Sequence, residues 1–289
     1  MIPSFRMGVI ASAIHRVVNT GGAFDAYTTG MELAYGLELL ITAYTGPCLR
    51  VRRDSDNTEL DIGFGSDNKV DSTAMLTFVG SGNGYVSKWY DQTGLGQHGV
   101  NSTAAYQAII VSAGTYLGEI QFDGVDDYLT YNSPAATVLT TASLMRLRSD
   151  TGTGTYGGIF GLDGITPSST ETNYGSIFIV GHGTNVLSMG SSGYFNATGT
   201  QDTTQRAEVI VLQASPTRIQ NRYLDGVNSV TGGNGSGSLG DHFPATTGSI
   251  GQAVGSVGAG FFSKLSYKTF VIWSTNRDSD VAGITTALL

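Results

Sequence analysis

Residues Gly84–Val100 read GYVSKWYDQTGLGQHGV. The first half, YVSKWY, carries alternating bulk, as a half-buried strand does. The second half, DQTGLGQHG, breaks into polar and glycine residues, the composition of a turn. Asp91, Gln92 and His98 have the functional groups of a catalytic constellation, yet their place argues for scaffold. A carboxylate that closes a strand and opens a glycine-containing turn is placed to accept backbone N–H groups. Asp91, Gln92 and Gly94 are therefore expected to build a structural turn. His98, in GQHG, is expected on a surface loop.

Downstream of this stretch the pattern is almost entirely β. Short apolar runs (AIIVS, EIQFDG, DYLTY, SLMRLR, GGIFGL, SIFIVG, NVLSMG, AEVIVLQ, NRYLDGV, TGSIGQ and SYKTFVIWS) are separated by Gly, Asn, Asp and Thr clusters. That spacing is the signature of a sandwich or jelly roll. Thr231–Asp241, TGGNGSGSLGD, lies between two such runs and reads as a long surface loop. Trp89 and Trp273 fall on the inward phase of their strands, and burying them supplies large apolar area.

Upstream, MELAYGLELLITAY from Met31 places Leu33, Leu37, Leu40 and Tyr44 at helical spacing, with Gly46-Pro47 as a stop. CLRVRR and ELDIGF read as short strands joined by the turn DSDNT. In VDSTAMLTFVGSG, Asp71 is a helix N-cap, Ala74, Met75 and Phe78 share a face, and Gly80 ends the helix. Residues 1–30 show no clear period and read as an arm docked on a partner surface. The stretch MIPSFRMGVIASAIHRVV has only a short apolar run, broken by His15-Arg16, and is not expected to act as a signal peptide.

Composition narrows the function classes. With 40% apolar and 13% charged residues in 289, the chain folds rather than staying disordered. The net charge of −8 argues against nucleic acid as a partner, because phosphate needs a basic patch. The densest basic run, LRVRR at 49–53, is followed by Asp54 and Asp56 and reads as a strand with paired charges. A single cysteine, Cys48, excludes an intrachain disulfide and reads as a small core residue. No run reaches the length needed to span a membrane, so no membrane partner is expected.

Three groups of residues are candidates for binding. Asp123, Asp126 and Asp127 in FDGVDDY bring oxygen donors of the kind that hard cations take, although a tight turn between two strands, with Gly124 at positive φ, is the favoured reading. Tyr128, Tyr131 and Tyr194 sit near loops or strand ends, where a ring can stack on a sugar. His182 and His242 are isolated, with no second ligand at metal spacing. No cofactor is expected, and no G-x-S-x-G elbow supports a serine nucleophile.

Several segments together resemble a known family. LGEIQFDGVDDYL (117–129), NRYLDGV (221–227) and the tail from Gly248, GSIGQAVGSVGAGFFSKLSYKTFVIWS, resemble laminin-G-like and concanavalin-A-like sandwiches. AYGLELLITAYTGPCLRVRRDSDNTELDIGF followed by WYDQTGLGQHGV resembles the start of the arabinofuranosidase-B-type catalytic domain, over roughly residues 33–130. The resemblance implies a concanavalin-A-like sandwich introduced by a turn like Asp91-Gln92-Thr93-Gly94. That family carries a vicinal cysteine pair near a glutamate nucleophile, and this chain, with Cys48 alone, has no matching segment. Degenerate copies of the module resemble those in structural proteins of tailed phages.

The expectation is therefore an all-β, concanavalin-A-like jelly-roll sandwich over residues 85–289, with a docking arm at 1–30 and a small mixed α/β segment at 31–84. The expected function is a non-enzymatic virion structural protein, a decoration, fibre or tail component that uses a lectin-like sandwich for assembly or adhesion. Its partners would be other virion proteins and copies of itself, with a host surface glycan as a further candidate. The alternatives are a secreted glycoside hydrolase of arabinofuranosidase type and a non-catalytic glycan-binding module.

Overall fold

The computed structural model describes residues 21–148, 156–161, 177–181, 187–189, 204–213, 219–231, 246–253 and 261–289. Tyr194, His182, His242, residues 1–20 of the arm and most of the 231–241 loop lie outside the described residues. Along the chain come β1 (Met31–Gly36), β2 (Leu49–Arg53), β3 (Glu59–Ile62), helix α1 (Ser72–Val79), β4 (Gly84–Trp89), β5 (Gly99–Val100) and β6 (Ile109–Ser112). Then follow β7 (Thr115–Gln121), β8 (Leu129–Ser133), β9 (Val138–Leu147), β10 (Tyr156–Gly161), β11 (Ile177–Gly181) and β12 (Leu187–Met189). The last are β13 (Arg206–Gln213), β14 (Ile219–Leu224), β15 (Val227–Thr231), β16 (Thr246–Ile250), β17 (Gln252–Ala253), β18 (Phe261–Phe262), β19 (Leu265–Trp273) and helix α2 (Val281–Leu288).

The pairings are antiparallel and form two layers. One runs β15-β14-β13-β9-β19-β1. The other runs β3-β2-β4-β5-β8-β16-β10-β11-β12. The β6–β7 hairpin joins them, because β6 pairs with β4 while β7 pairs with the start of β19. The chain is thus an all-β sandwich, and residues 31–84 contribute strands to both layers.

The filling between the layers is aromatic. Tyr35 stacks on Trp89 at 5.4 Å between centroids, and Phe270 meets Tyr35, Tyr131, Phe160 and Tyr267 at 5.2 to 6.4 Å. Contacts of this geometry add roughly 0.5–1.5 kcal/mol per pair beyond the area they bury. Both tryptophans are fully buried, Trp89 between the layers but Trp273, against the inward phase expected of it, on the outer face of the first layer. Cys48 is buried too, its thiol donating to the Gly36 carbonyl at 3.2 Å, and burial pushes its pKa well up, so the group stays a protonated thiol.

The outer face of the first layer forms a second core. Ala34, Ala142, Leu144, Val209, Val271 and Trp273 are covered there by Phe24, Leu40 and the Val281, Ile284 and Leu288 face of α2. The described part of the arm docks on its own sandwich: Phe24 packs on Trp273 at 5.8 Å, and the Trp273 indole N–H donates to the Tyr27 carbonyl at 2.6 Å. Among the described residues no helix is long and apolar enough to cross a membrane.

The helix expected from Met31 is a strand. Leu33 and Tyr35 face the inner core while Met31 and Ala34 face the outer one, so β1 is apolar on both sides. A strand buried on both faces loses its alternation, and its apolar run then mimics helical spacing. Helix α1 keeps its Asp71 cap, with Oδ1 accepting from Ala74 N at 2.9 Å, but its buried face is Met75 and Val79 rather than Ala74 and Phe78. In LRVRR, Arg50 pairs with Asp61 and Arg53 with Asp56.

The DQTG turn clamps β1 and its continuation. Asp91 Oδ1 accepts from Ala34 N and Thr93 N, both at 3.0 Å, and Oδ2 accepts from Thr93 Oγ1 at 2.6 Å and Gln97 N at 3.2 Å. Gln92 Oε1 accepts from Leu40 N at 2.7 Å, while Nε2 donates to the carbonyls of Glu38 at 2.9 Å and Gly36 at 3.3 Å. Both residues are about as buried as the core, at 1% exposure. An Asp91→Asn chain turns one oxygen into a donor that faces other donors. It should lose about 3 kcal/mol of unfolding free energy by urea titration, and a loss under about 1 kcal/mol would show that the clamp does not hold β1.

Candidate functional site

The Asp91 turn leaves little for chemistry. Its carboxylate is saturated by N–H and O–H donors, and its own backbone N–H donates to His98 Nδ1 at 3.1 Å. His98 is half-buried, edge-on to Tyr90 at 4.9 Å, and burial lowers its pKa. The imidazole that the sequence put on a surface loop instead finishes the turn as an acceptor. Gly94, at φ 83, reverses the chain in a conformation that side chains avoid.

The three tyrosine candidates part company. Tyr131 is a correction: it is 2% exposed, lies against Phe270, and donates its hydroxyl to the Gly161 carbonyl at 2.8 Å. Its strand phase points it inward, so it offers no face to a sugar. Tyr128, just before β8, is half-exposed and stands beside Tyr106, whose ring is 6.0 Å away at an interplanar angle of 31°. Tyr106 is 38% exposed. The sequence reading did not nominate it, because STAAYQ has no periodicity and nothing local announces a neighbour at position 128.

A buried polar network fixes this pair. Tyr128 N donates to the Tyr106 carbonyl at 3.2 Å. Asn101 Nδ2 donates to both the Tyr106 and Tyr128 carbonyls at 2.8 Å. Behind it Gln107 Nε2 donates to the Asn101 carbonyl at 2.8 Å, and Arg52 Nε donates to Gln107 Oε1 at 2.6 Å. Arg52 Nη1 and Nη2 reach Asn57 Oδ1 and the Ala104 carbonyl, and the guanidinium lies 4.8 Å from the Tyr85 ring centre. Asn101, Gln107 and Arg52 are each under 9% exposed, so the backbone that carries the two rings is held by a buried, hydrogen-bonded support.

One residue along, Asp123, Asp126 and Asp127 each bring an oxygen within 4.8 Å of the others. Asp123 Oδ1 accepts from Val125 N at 2.7 Å and Asp126 N at 3.3 Å, and Asp127 Oδ2 accepts from Asp123 N at 3.0 Å. Gly124 allows the turn, at φ 79, and a Cβ there would meet Lys264 N at 2.7 Å. Burial, then the charges of Asp123 and Asp126, push Asp127 up to about 7, against the pull of its backbone bond. The three carboxyls could hold a hard cation only partly, since calcium takes six to eight oxygens and the rest would come from water or ligand. Asp127 holds a proton at neutral pH more readily than an isolated aspartate does.

The chain matches no family model, and no curated sequence is similar to it. Its fold is similar to solved structures of a GH54 α-L-arabinofuranosidase soaked with 4-nitrophenyl α-L-arabinofuranoside, at 14% identity and a TM-score of 0.69. It is likewise similar to an arabinofuranosidase complexed with arabinofuranosyl-α-1,2-xylobiose, at 15% identity and a TM-score of 0.68. Each alignment covers 92% of this chain and 65% of the other, so the chain spans just under two thirds of their length. The chain therefore shares the sandwich fold of these two proteins.

The raised Asp127 carboxyl gives a pH signature. Its unfolded pKa is near 3.9, and because the folded value is higher, the folded state holds a proton that the unfolded state has released. Stability from this group is full below about 4 and is lost as pH rises through 7. An Asp127→Asn chain should show a shallower fall in melting temperature between pH 4 and 7 than the parent chain. Parallel curves would mean that Asp127 is not held protonated.

Proposed function

We propose that the chain is a non-enzymatic carbohydrate-binding sandwich, acting as an adhesion or assembly module on the virion of a tailed phage. The observation that carries the binding role is the Tyr106–Tyr128 ring pair, reaching the surface from backbone that Asn101 holds directly and Gln107 and Arg52 brace behind it. Exposed rings stack on the C–H faces of sugars, and rings fixed beforehand lose little entropy on binding. The neighbouring carboxylates Asp123 and Asp126 supply acceptors for sugar hydroxyls. Support for the virion setting is the resemblance of residues 33–130 to the arabinofuranosidase-B-type module, degenerate copies of which look like those in phage structural proteins. Its partners there are other virion proteins, further copies of this chain and a host surface glycan.

A second reading, hydrolysis of arabinofuranosides, is favoured by the similarity in fold to the arabinofuranosidases. The two readings separate in one set of assays. Glycan-array screening followed by calorimetry should find a ligand whose affinity falls about tenfold in Tyr106→Ala and in Tyr128→Ala but survives in Tyr128→Phe. Incubation with 4-nitrophenyl α-L-arabinofuranoside should release no nitrophenol above a blank. Turnover in that assay would replace adhesion with catalysis. Copurification of the chain with intact particles would support the virion setting, and its absence from them would remove it.

A further inference from the structure

Away from the tyrosines, a cleft of about 340 Å³ opens where β1 runs past its last residue. The segment following β1 lies between two neighbours. On one side Leu37 N donates to the Lys268 carbonyl at 2.9 Å, and on the other Val70 N donates to the Leu37 carbonyl and Leu39 N to the Asn68 carbonyl, both at 2.7 Å. Glu38 and Lys69 form an antiparallel bridge, so their side chains share a face. Lys268 falls at the register shift between Tyr267 and Thr269 in the β9–β19 ladder, the kind of irregularity that re-aims a side chain. The result is a lysine, glutamate, lysine row across three adjacent segments, lining the cleft.

The walls are mixed, with Ser72 and Thr269 beside apolar side chains. Leu37, Val70, Leu144 and Leu288 line them, together with the half-exposed ring of Tyr116. Asp67 stands at the rim, its Oδ1 already accepting from Lys69 N at 3.1 Å. Among the side chains, two ammonium groups stand against two carboxylates. An anion would meet Glu38 and Asp67, and a cation would meet Lys69 and Lys268. A neutral polyol satisfies both kinds of group at once, since each hydroxyl donates to a carboxylate and accepts from an ammonium. Burial raises the Glu38 pKa while Lys69 and Lys268 oppose it, as expected for a carboxyl set into a partly dry wall. The volume is within the range of small-molecule sites.

We propose that the Glu38–Lys69–Lys268 cleft is a second ligand site, which takes one neutral sugar residue with its hydroxyls on the charged row and its C–H face on the leucine wall. The proposal rests on the carbohydrate reading of the sandwich but not on the tyrosine pair. The test is an NMR titration of the full chain, with leucine and valine methyls labelled, against methyl α-L-arabinofuranoside and methyl β-D-xylopyranoside. Sodium glucuronate and glycine betaine serve as the charged probes.

At least one neutral glycoside should shift the methyls of Leu37, Val70, Leu144 and Leu288. Its affinity should fall about tenfold in Lys268→Met, which keeps the aliphatic stem, and in Glu38→Gln, and should be unchanged in Tyr106→Ala. Tighter binding of glucuronate or betaine than of either glycoside would overturn the neutral-sugar assignment. Undiminished binding in both cleft variants would overturn the site. Shifts confined to residues around Tyr106 and Tyr128 would remove the cleft and leave the carbohydrate reading standing, whereas glycosides that move neither set would remove both.

Discussion

The clamp of Asp91 and Gln92 on the chain from Ala34 to Leu40 sets much of the rest. Through Ala34 the carboxylate fixes the phase of β1, and with it the inward aim of Tyr35 and the outward aim of Ala34. Through Leu40, Glu38 and Gly36 the amide carries the chain past the end of β1 without a helix or a turn of its own. Backbone groups there are buried and would be costly if left unbonded. One side-chain amide satisfies three of them, which lets the segment run extended between Lys268 and Val70. The row of charges at Glu38 is a consequence of that run.

The same logic explains why β1 needs a cover on its outer side. A strand apolar on both faces is stable only inside a third layer. Phe24 and Leu40 supply part of it, and α2 supplies the rest with Val281, Ile284 and Leu288. Trp273 ties the two ends together, since it accepts the packing of Phe24 and donates its indole N–H to Tyr27. The sandwich is thus closed on its inner face by aromatics and on its outer face by the two flanking pieces of chain.

The legible parts of the sequence were those with local signals. Strands from Ile109 onward carry bounded apolar runs, Asp71 caps a helix that Gly80 ends, and Asp225-Gly226, at φ 50 and 79, marks the β14–β15 hairpin. Each of these is decided within a few residues. β1 was misread because burial on both faces erases the two-residue period. Tyr131 was misread because a strand end and a strand interior look alike when flanked by Thr and Asn. Tyr106, Glu38 and Lys268 gave no signal at all, because what joins them to their neighbours is pairing between segments far apart in sequence. The fold was therefore readable from pattern, while the candidate sites, made by long-range register, were not.

Polar groups buried in this sandwich divide into two kinds, and the division says what each is for. Asp91, Gln92, Asn101, Gln107 and Arg52 have partners on the backbone or one another, and each holds a loop or a strand extension in place. Arg222 is different. It is 1% exposed and its Nε donates to Glu208, itself 3% exposed, at 2.7 Å, but Nη1 and Nη2 have no hydrogen-bond partner among the described residues. An ion pair so dry is poor as a source of net stability, since desolvating both charges offsets most of their attraction. What it does supply is register. Glu208 and Arg222 sit on neighbouring strands of the β13–β14 ladder, where Ile210 opposes Arg222 and Leu224 opposes Glu208. Moving β14 by one residue would turn Arg222 to the other face and leave a buried carboxylate without its cation. That penalty excludes the slipped pairing more effectively than an apolar pair would, because leucine for leucine is nearly indifferent to position. The Arg222–Glu208 contact thus ties the register of the β13–β14 hairpin to the burial of both charges.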